Sequence, residues 1–334
     1  CQHAGISAAD YVPVVWTVCQ YRGRTWALPS TPGSTALIWN KELFRRAGLD
    51  PETPPRTLAE LDDFAARLTR YDAQSNLVHL GFLPTEPGWW NFAWIHYFGG
   101  QVWDETNRIT YDAPAGRAMF DWIAGYTQRY GLKALQQFSA GFGNFASPQN
   151  AFLAGKVAMV IQGVWMHNFI EKYAPGLEWG AAPFPAHDGV EPPVVYTEAD
   201  VLVIPRGARH PEAAFAFIRF VNTQPVMEEL CMGQLKASSL RHASPEFLQR
   251  HPHPYLHVFY DSMFSPRAFS TPSFSIHEEV VREVNIAVDM VRLGAARPAE
   301  ALPQMQARCQ QALDRMLQQR SRREARAAHA KSPF

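Results

Sequence analysis

The sequence predicts an α/β fold, because segments with strand character alternate with segments of helical periodicity along the 334 residues. The apolar run TALIWN (35–40) predicts a buried strand. Asn40 then suits the N-cap of a short helix, KELFRRA, and Gly48 suits the position after that helix. At this length, with 47% hydrophobic residues, the chain has enough apolar side chains for a large core or two lobes.

The other elements are predicted from turn signals and periodicity. YRGRTWALP (21–29) has two short aromatic-bearing runs around Arg22-Gly23 and predicts a hairpin. TLAE (57–60) predicts a capping box, in which Thr57 opens a helix and Glu60 reaches back to it. The remaining predictions, in chain order, are a helix from Pro114, a short helix at 147–155, a strand at 156–161, a strand at 199–205, a helix from Pro211, and two final helices with apolar faces at Val280–Val291 and Leu302–Met316.

Composition excludes several classes of function. Lys+Arg and Asp+Glu balance at 31 each, so no overall charge attracts nucleic acid, and no nucleic-acid partner is expected. No run of 18 apolar residues is present, and the first residues do not have the pattern of a signal peptide. The chain has neither a GxxxxGK phosphate loop nor a GxSxG nucleophile motif. No cofactor is expected.

The cysteines and histidines do not predict a metal site. The four cysteines have no CxxC spacing and are expected to be isolated small hydrophobes, although a disulfide between Cys19 and Cys231 stays open. HPHPYLH (251–257) contains three histidines, but its two prolines impose an extended path on which three imidazoles do not converge. We therefore expect no metal.

The stretch TEPGWWNFAWIHYFGGQVWD (85–104) suggests a binding site for a sugar. A sugar ring has a face of C–H groups that aromatic rings cover, and hydroxyls that carboxylates bind with strong hydrogen bonds. Glu86, Trp89 and Trp90 supply both elements within five residues, and at least one of the two tryptophans is expected to face the ligand. Trp94 is expected in the core. The open alternative for Glu86 is a cap on the following helix.

Several motifs carry a resemblance to a known family. They are Y-x-G-x-x-W-A-L-P from Tyr21, A-L-I-W-N-K-x-L-F-x-x-A-G-L-D-P from Ala36, P-x-T-L-x-E-L from Pro55, F-G-G at 98–100, F-L-A-G-K-V-A-M-V-I-Q-G-V-W from Phe152, P-F-P at 183–185 and A-A-F-A-F-I-R-F-V from Ala213. In this order they resemble the family 1 extracellular solute-binding proteins, the maltose-binding-protein-like carbohydrate receptors of ABC importers. The resemblance covers roughly residues 10–317.

The resemblance implies a two-lobed periplasmic-binding-protein fold of type II. The strand–helix–strand stretch with which the family's first lobe begins is missing before Tyr21. We therefore expect an N-terminally truncated chain with an incomplete first lobe, and we do not expect Cys1 to be a lipidated first residue. The implied boundaries are 1–32 and 200–236 for the first lobe, 36–196 and 237–334 for the second, and hinge crossings near 31–35 and 195–201.

The resemblance also implies the site and the partners. Trp165, which follows Gly163, matches the family's stacking tryptophan. VVYTEADVLVIP has Tyr196, Thr197 and Glu198 where many relatives have a Gly-Gly pair, which suggests ligand contacts through side chains. The expected ligand-binding residues are Glu86, Trp89, Trp90, Trp165, Tyr196, Glu198, Asp200, Phe274 and His277. A monomeric, non-enzymatic receptor, periplasmic or extracellular and membrane-associated, is implied; it closes its lobes on a carbohydrate and delivers it to the permease.

Two other functions stay open. One is a receptor for a non-sugar solute such as a glycerol or polyol phosphate, for which Arg22, Arg24, Arg206 and Arg209 offer positive charge. The other is a glycoside hydrolase, which needs two acids at a fixed separation across the scissile bond. Glu86 and Glu198 supply two acids, but no sequence pattern fixes their separation. No catalytic residue is therefore assigned.

Overall fold

The protein has a mixed α/β fold. The computed structural model describes residues 5–187 and 192–329, so Cys1 lies outside the described residues. The strands are β1 (Gln20–Tyr21), β2 (Arg24–Thr25), β3 (Leu28–Asn40), β4 (Arg70–Tyr71), β5 (Leu77–His79), β6 (Met159–Gly163), β7 (Trp179–Ala182), β8 (Val195–Leu202) and β9 (Ala268–Phe269).

The helices follow in chain order after a 3₁₀ turn at Ala8–Asp10. They are α1 (Pro13–Val18), α2 (Lys41–Arg46), α3 (Leu58–Leu68), α4 (Trp94–Tyr97), α5 (Pro114–Tyr130), α6 (Leu132–Ser139), α7 (Met166–Tyr173), α8 (Pro211–Val221), α9 (Gln224–Gln234), α10 (Pro245–Arg250), α11 (Leu256–Ser262), α12 (His277–Arg292) and α13 (Pro298–His329). Within the described part of the chain, no helix is both long and apolar enough to cross a bilayer.

The chain divides into two compact units. Unit 1 comprises residues 1–87 and 137–273, and unit 2 comprises residues 88–136 and 274–334. The lobe boundaries that the resemblance implies stay a prediction. Both implied hinge crossings, near 31–35 and 195–201, fall within β3 and β8 of unit 1.

Unit 1 is built on β3, a strand of 13 residues that is buried throughout. On one edge β3 pairs antiparallel with β6, and on the other edge it pairs antiparallel with β8 and then β7. Strand β9 adds to β8 in parallel. A register shift between Pro29 and Pro32 accommodates the prolines, which cannot donate to the ladder. This sheet positions the candidate site.

Two apolar clusters support the sheet of unit 1. One packs α7 and Phe259 against β3 and β6 and includes the buried side chains of Ile38 and Val160. The other joins α1 to the segments around α9 to α11, with Val15, Met227 and Cys231 fully buried. Cys19, Cys231 and Cys309 are buried free thiols, so the disulfide that the sequence left open is not formed.

Unit 2 is helical. Helices α5, α12 and α13 pack against one another, and Val284, Val288 and Met305 lie in their shared core. The side chains of Gln306 and Gln310 accept hydrogen bonds from the backbone N–H groups of Asp112 and Ile109, at 2.6 and 2.8 Å. Helices α5, α12 and α13 confirm three predictions: the helix that starts at Pro114 and the two final helices with apolar faces at Val280–Val291 and Leu302–Met316.

Some predicted elements differ from the structure. The segment 147–155 forms turns instead of a helix, since Asn150 Oδ1 accepts hydrogen bonds from the N–H groups of Phe152 and Leu153. Thr57 caps α3 as predicted, but Glu60 reaches the N–H of Arg56 at 2.7 Å. The hairpin at 21–29 is confirmed in shorter form as β1 and β2.

Candidate functional site

In unit 1, the indole ring of Trp165 packs directly against the backbone of two glycines, Gly33 and Gly163. A Cβ atom on Gly33 of β3 would lie 2.6 Å from the indole, and one on Gly163 of β6 would lie 2.3 Å from it. Only glycine allows this approach at both positions, because any other residue would displace the ring. Trp165 is half-buried at the end of β6, just before α7. The two strands therefore form a platform that holds an aromatic ring.

Glu198 lies beside this platform. It pairs with Gly33 across the β3–β8 ladder, and its Cγ lies 3.8 Å from the position of a Cβ on Gly33. Burial raises the pKa of Glu198 above its ordinary value, and the negative charge of Asp200 raises it further. The charge of Lys236 and a hydrogen bond with Tyr196 act in the opposite direction. Glu198 is still exposed, and a carboxyl group with these properties is suited to hydrogen bonding with ligand hydroxyls.

Asp200 belongs to a polar network on the same face of β8. Its Oδ2 accepts hydrogen bonds from Lys236 Nζ at 2.8 Å and from Thr31 Oγ1 at 3.0 Å. Burial alone acts to raise the pKa of Asp200, but the hydrogen bonds and the charge of Lys236 outweigh it, so that the pKa is lowered. Asp200 is therefore an ionised carboxylate whose charge is partly compensated.

Tyr196 and Glu86 complete the predicted residues of unit 1. Tyr196 is buried, and its hydroxyl lies 2.7 Å from Thr271 Oγ1, so its placement favours a supporting role behind Glu198. Glu86 is half-buried, and burial raises its pKa to about 7. It does not cap a helix, because α4 begins only at Trp94 and has no side-chain cap.

Trp89 and Trp90 of unit 2 differ in exposure. Trp89 is 38% exposed, whereas Trp90 is 7% exposed, and their rings meet edge to face with centroids 5.4 Å apart. This placement favours Trp89 as a contact surface and Trp90 as its packing support. Trp94 is buried against Trp122, which confirms its prediction as a core residue.

Phe274 and His277 pack within the aromatic core of unit 2. Phe274 is buried and stacks on Trp103 with ring centroids 4.6 Å apart. His277 meets Phe92 edge to face at 4.9 Å, and burial lowers the pKa of His277, although Glu278 opposes the shift. Trp103 is the more exposed ring of the stacked pair.

The structure thus gathers Trp165, Tyr196, Glu198 and Asp200 on one part of the unit 1 sheet. Glu86 also belongs to unit 1, and the other four predicted residues belong to unit 2. Gly33 and Lys236 were not predicted. A glycine within a strand often marks the close approach of another group, so Gly33 could have been predicted from the sequence. Lys236 carried none, because it meets its partners only through the fold.

Two histidines of the 251–257 segment, His251 and His253, are buried in unit 1, where their rings take part in hydrogen bonds with backbone groups. Among the residues that the structure describes, no group of His, Cys, Asp or Glu side chains is arranged to hold a metal ion.

The family model for the bacterial extracellular solute-binding protein matches residues 6–228. The chain belongs to this family. Among curated relatives, the maltotriose-binding protein of Pyrococcus abyssi is 23% identical over 227 residues, which are 66% of this chain and 46% of the relative. The sn-glycerol-3-phosphate-binding periplasmic protein of Escherichia coli is 44% identical over 46 residues, which are 14% of this chain and 10% of the relative.

Solved structures show the same fold for this solute-binding protein. CpMnBP1 with mannobiose bound matches with a TM-score of 0.79 and 26% identity, covering 91% of this chain and 76% of that one. The sugar-binding protein MalE from Xanthomonas citri matches with a TM-score of 0.73 and 19% identity, covering 98% and 78%. The α/β fold of the periplasmic solute-binding proteins is thereby confirmed. The chain spans about half the length of the maltotriose-binding relative.

Proposed function

We propose that this solute-binding protein captures a neutral mono- or oligosaccharide and delivers it to the permease of an ABC importer. The observation that carries the proposal is the indole of Trp165, packed directly against Gly33 and Gly163 beside the side chain of Glu198. An aromatic face covers the C–H face of a sugar ring, and a carboxylate accepts hydrogen bonds from its hydroxyls. The protein acts as a receptor without turnover, in the periplasm or outside the cell.

The local charge supports a neutral ligand. Glu198 and Asp200 bring two carboxyl groups to this part of β8, and Lys236 already donates to Asp200. An anionic solute would lie close to these carboxyl groups, and like charges repel. The similar proteins support the sugar class, since one relative is described as maltotriose-binding and one solved structure holds mannobiose.

A phosphate ester is the second candidate. The observation that favours it is the 46-residue match to the glycerol-3-phosphate-binding protein of Escherichia coli. The carboxyl pair on β8 disfavours it, unless cationic side chains elsewhere supply the phosphate contacts.

Isothermal titration decides between these ligands. The chain is titrated with mannobiose, maltotriose and glycerol 3-phosphate, beside the variants Trp165→Ala and Glu198→Gln. Trp26→Ala is the control, since this exposed ring lies next to the β1–β2 hairpin and is not a candidate contact. We expect one saccharide to bind and Trp165→Ala to cost about 2 kcal/mol, or about thirtyfold in Kd.

Three results would contradict the proposal. Binding of glycerol 3-phosphate without saccharide binding would assign the phosphate class. Equal saccharide affinity in Trp165→Ala and the native chain would remove the stacking argument. Release of product from a chromogenic glycoside, abolished by Glu86→Gln or Glu198→Gln, would establish a hydrolase.

A further inference from the structure

Three histidines form a buried cluster in unit 1. His167 of α7, His251 and His253 are 6%, 9% and 3% exposed. The ring centroids of His167 and His253 are 4.8 Å apart, and those of His251 and His253 are 6.4 Å apart. Imidazoles this close interact electrostatically. Protonation of one ring therefore makes protonation of its neighbour less favourable, because like charges repel.

Two of these rings hold a turn together, which we call the histidine turn (residues 251–255). His251 Nδ1 accepts a hydrogen bond from the N–H of His253 at 3.1 Å, and His253 Nδ1 accepts one from the N–H of Tyr255 at 3.1 Å. His251 Nε2 lies 3.1 Å from the carbonyl oxygen of Lys236 and donates to it. An imidazole that accepts at Nδ1 and carries its hydrogen on Nε2 is neutral.

Acid acts directly on these hydrogen bonds. A proton from solvent on Nδ1 occupies the lone pair that accepts the backbone N–H, so each protonation removes one bond of the histidine turn. The charge would also enter an apolar pocket, because the ring of His253 packs edge to face on Trp179 at 5.8 Å and on Phe259 at 5.2 Å.

The surroundings favour neutral rings. The ionisable groups that face the cluster are Glu171, whose Oε1 lies 4.0 Å from His167 Nδ1, and Tyr255, Cys231 and Lys236. The charge of Glu171 favours imidazolium at His167, and hydrogen bonds with backbone groups of Cys231 and Lys236 favour it at His251, but burial outweighs these interactions. Burial lowers the pKa of His253 to about 3, and it lowers the pKa values of His251 and His167 as well.

Two connections join the cluster to the candidate site. Lys236 accepts from His251 through its backbone carbonyl, while its Nζ donates to Asp200 and to Thr31. His167 lies two residues after Trp165, at the start of α7. An opening of the histidine turn therefore shifts Lys236 from one side and α7 from the other.

We propose that the histidine turn is an acid-sensitive latch, whose opening on protonation loosens the residues around Trp165 and Asp200 and releases the bound solute. The release rests on the proposed function, whereas the opening does not. The latch holds at pH values above about 6.5, where histidine in an unfolded chain is neutral, and it weakens as the pH falls toward the lowered pKa values of the folded chain.

Asparagine variants test the latch. Asn supplies an acceptor oxygen for an N–H two residues ahead, as His251 and His253 do here, and this oxygen does not titrate. We compare the native chain with the double variant His251→Asn/His253→Asn. The control is His257→Asn, an exposed histidine on the neighbouring helix α11.

The first measurement is urea unfolding at pH 7.5 and pH 5.0, without sugar. A histidine that stays neutral when folded lowers the folding constant by up to about thirtyfold over this interval. We expect the loss to be at least about tenfold smaller in the double variant, and unchanged in the control. Because the loss is a ratio within one protein, the smaller volume of Asn does not affect it. An equal loss in the double variant and the native chain would overturn the latch.

The second measurement is the Kd for mannobiose at the same two pH values. We expect the native Kd to rise about tenfold at pH 5.0, because protons bind to the opened turn, where the imidazoles titrate at their ordinary pKa, more tightly than to the closed one. The double variant should lose most of this rise. A native Kd that does not change, with the unfolding result as expected, would overturn the release alone. Absence of binding of mannobiose and maltotriose at pH 7.5 would overturn the proposed function and the release, while the unfolding data would still decide the latch.

Discussion

At the scale of single residues, exposure separates the aromatic side chains into two groups. Trp165 is half-buried on a glycine platform, and Trp89 is exposed at the surface of unit 2. Trp90 and Phe274 are buried and serve as packing for their neighbours. The sequence shows which rings are present near a carboxylate, but only the backbone decides which of them reaches solvent.

The glycine platform gives the first prediction. Gly33→Ala would place a Cβ atom 2.6 Å from the indole of Trp165. The ring must move, and overpacking of this kind costs about 1–3 kcal/mol of unfolding free energy. We also expect weaker saccharide binding. Gly125→Ala in α5 is the control, because a Cβ there meets no atom within 4 Å and alanine favours the helix. Urea unfolding of both variants measures the difference, and equal stabilities would contradict the close contact.

Glu86 gives a prediction with a definite direction. Because burial raises the pKa of this carboxyl group to about 7 from 4.5, the folded chain keeps its proton where the unfolded chain has lost it. Stability from Glu86 is therefore present at low pH and is lost as the pH rises from about 4.5 to 7. The loss amounts to about 3 kcal/mol for a shift of this size. Glu86→Gln should remove it.

The measurement for Glu86 is the unfolding free energy at pH 4.5 and pH 8.0 in both proteins. We expect Glu86→Gln to be more stable than the native chain at pH 8.0, with little difference at pH 4.5. Glu52→Gln, a change at an exposed carboxylate, is the control. A native chain that gains stability relative to Glu86→Gln as the pH rises would contradict a raised pKa.

At the scale of secondary-structure elements, an N-cap residue links strand β3 to helix α2. Asn40 ends β3, and its Oδ1 accepts a hydrogen bond from the N–H of Leu43 at 3.0 Å at the start of α2. Asn40→Ala should cost about 1 kcal/mol of unfolding free energy, since the N–H groups of the first turn lose their partner. Asn40→Ser keeps a cap and should recover most of the loss. Chemical denaturation of the two variants measures this, and equal losses would show that packing outweighs the cap.

The same strand shows how far sequence reasoning reaches. Its second half, TALIWN, and its cap at Asn40 were predictable because apolar runs and caps are local signals. Its first half was not, because Pro29, Pro32 and Gly33 are typical of loops. Pairing with β8 overrides this preference, with a register shift between the two prolines. Gly33 is needed there for the ring of Trp165, which lies just before α7.

Two other features of unit 1 were not predicted from the sequence: the contacts of Lys236 and the turns at 147–155. Lys236 meets Asp200 and Thr31 across 36 and 205 positions of the chain, and no local pattern marks it. The turns at 147–155 were predicted as a short helix that Gly155 ends, whereas the side chain of Asn150 competes for the backbone N–H groups. Trp165 and Glu198 were proposed by resemblance and by strand position, and their role as ligand contacts stays a prediction.

At the scale of the whole molecule, the balance of 31 basic and 31 acidic residues bears on the class of ligand. A chain with no net field gains little from attraction to an anion, so binding of a neutral sugar should depend weakly on salt. Binding also stabilises the folded chain: at a hundred times Kd, a ligand adds about 2.7 kcal/mol to the unfolding free energy. Mannobiose, if it is bound, should raise the melting temperature by about 2–4 °C.

Thermal unfolding at 20 mM and 500 mM NaCl checks this prediction with mannobiose and with glycerol 3-phosphate. We expect the saccharide to raise the melting temperature equally at both salt concentrations, since stacking and hydrogen bonds to hydroxyls involve no net charge on the ligand. Trp165→Ala should lose the shift, because the ring supplies much of the contact area. A shift with glycerol 3-phosphate that disappears at 500 mM NaCl would instead indicate a charged solute, since salt screens the attraction between exposed charges.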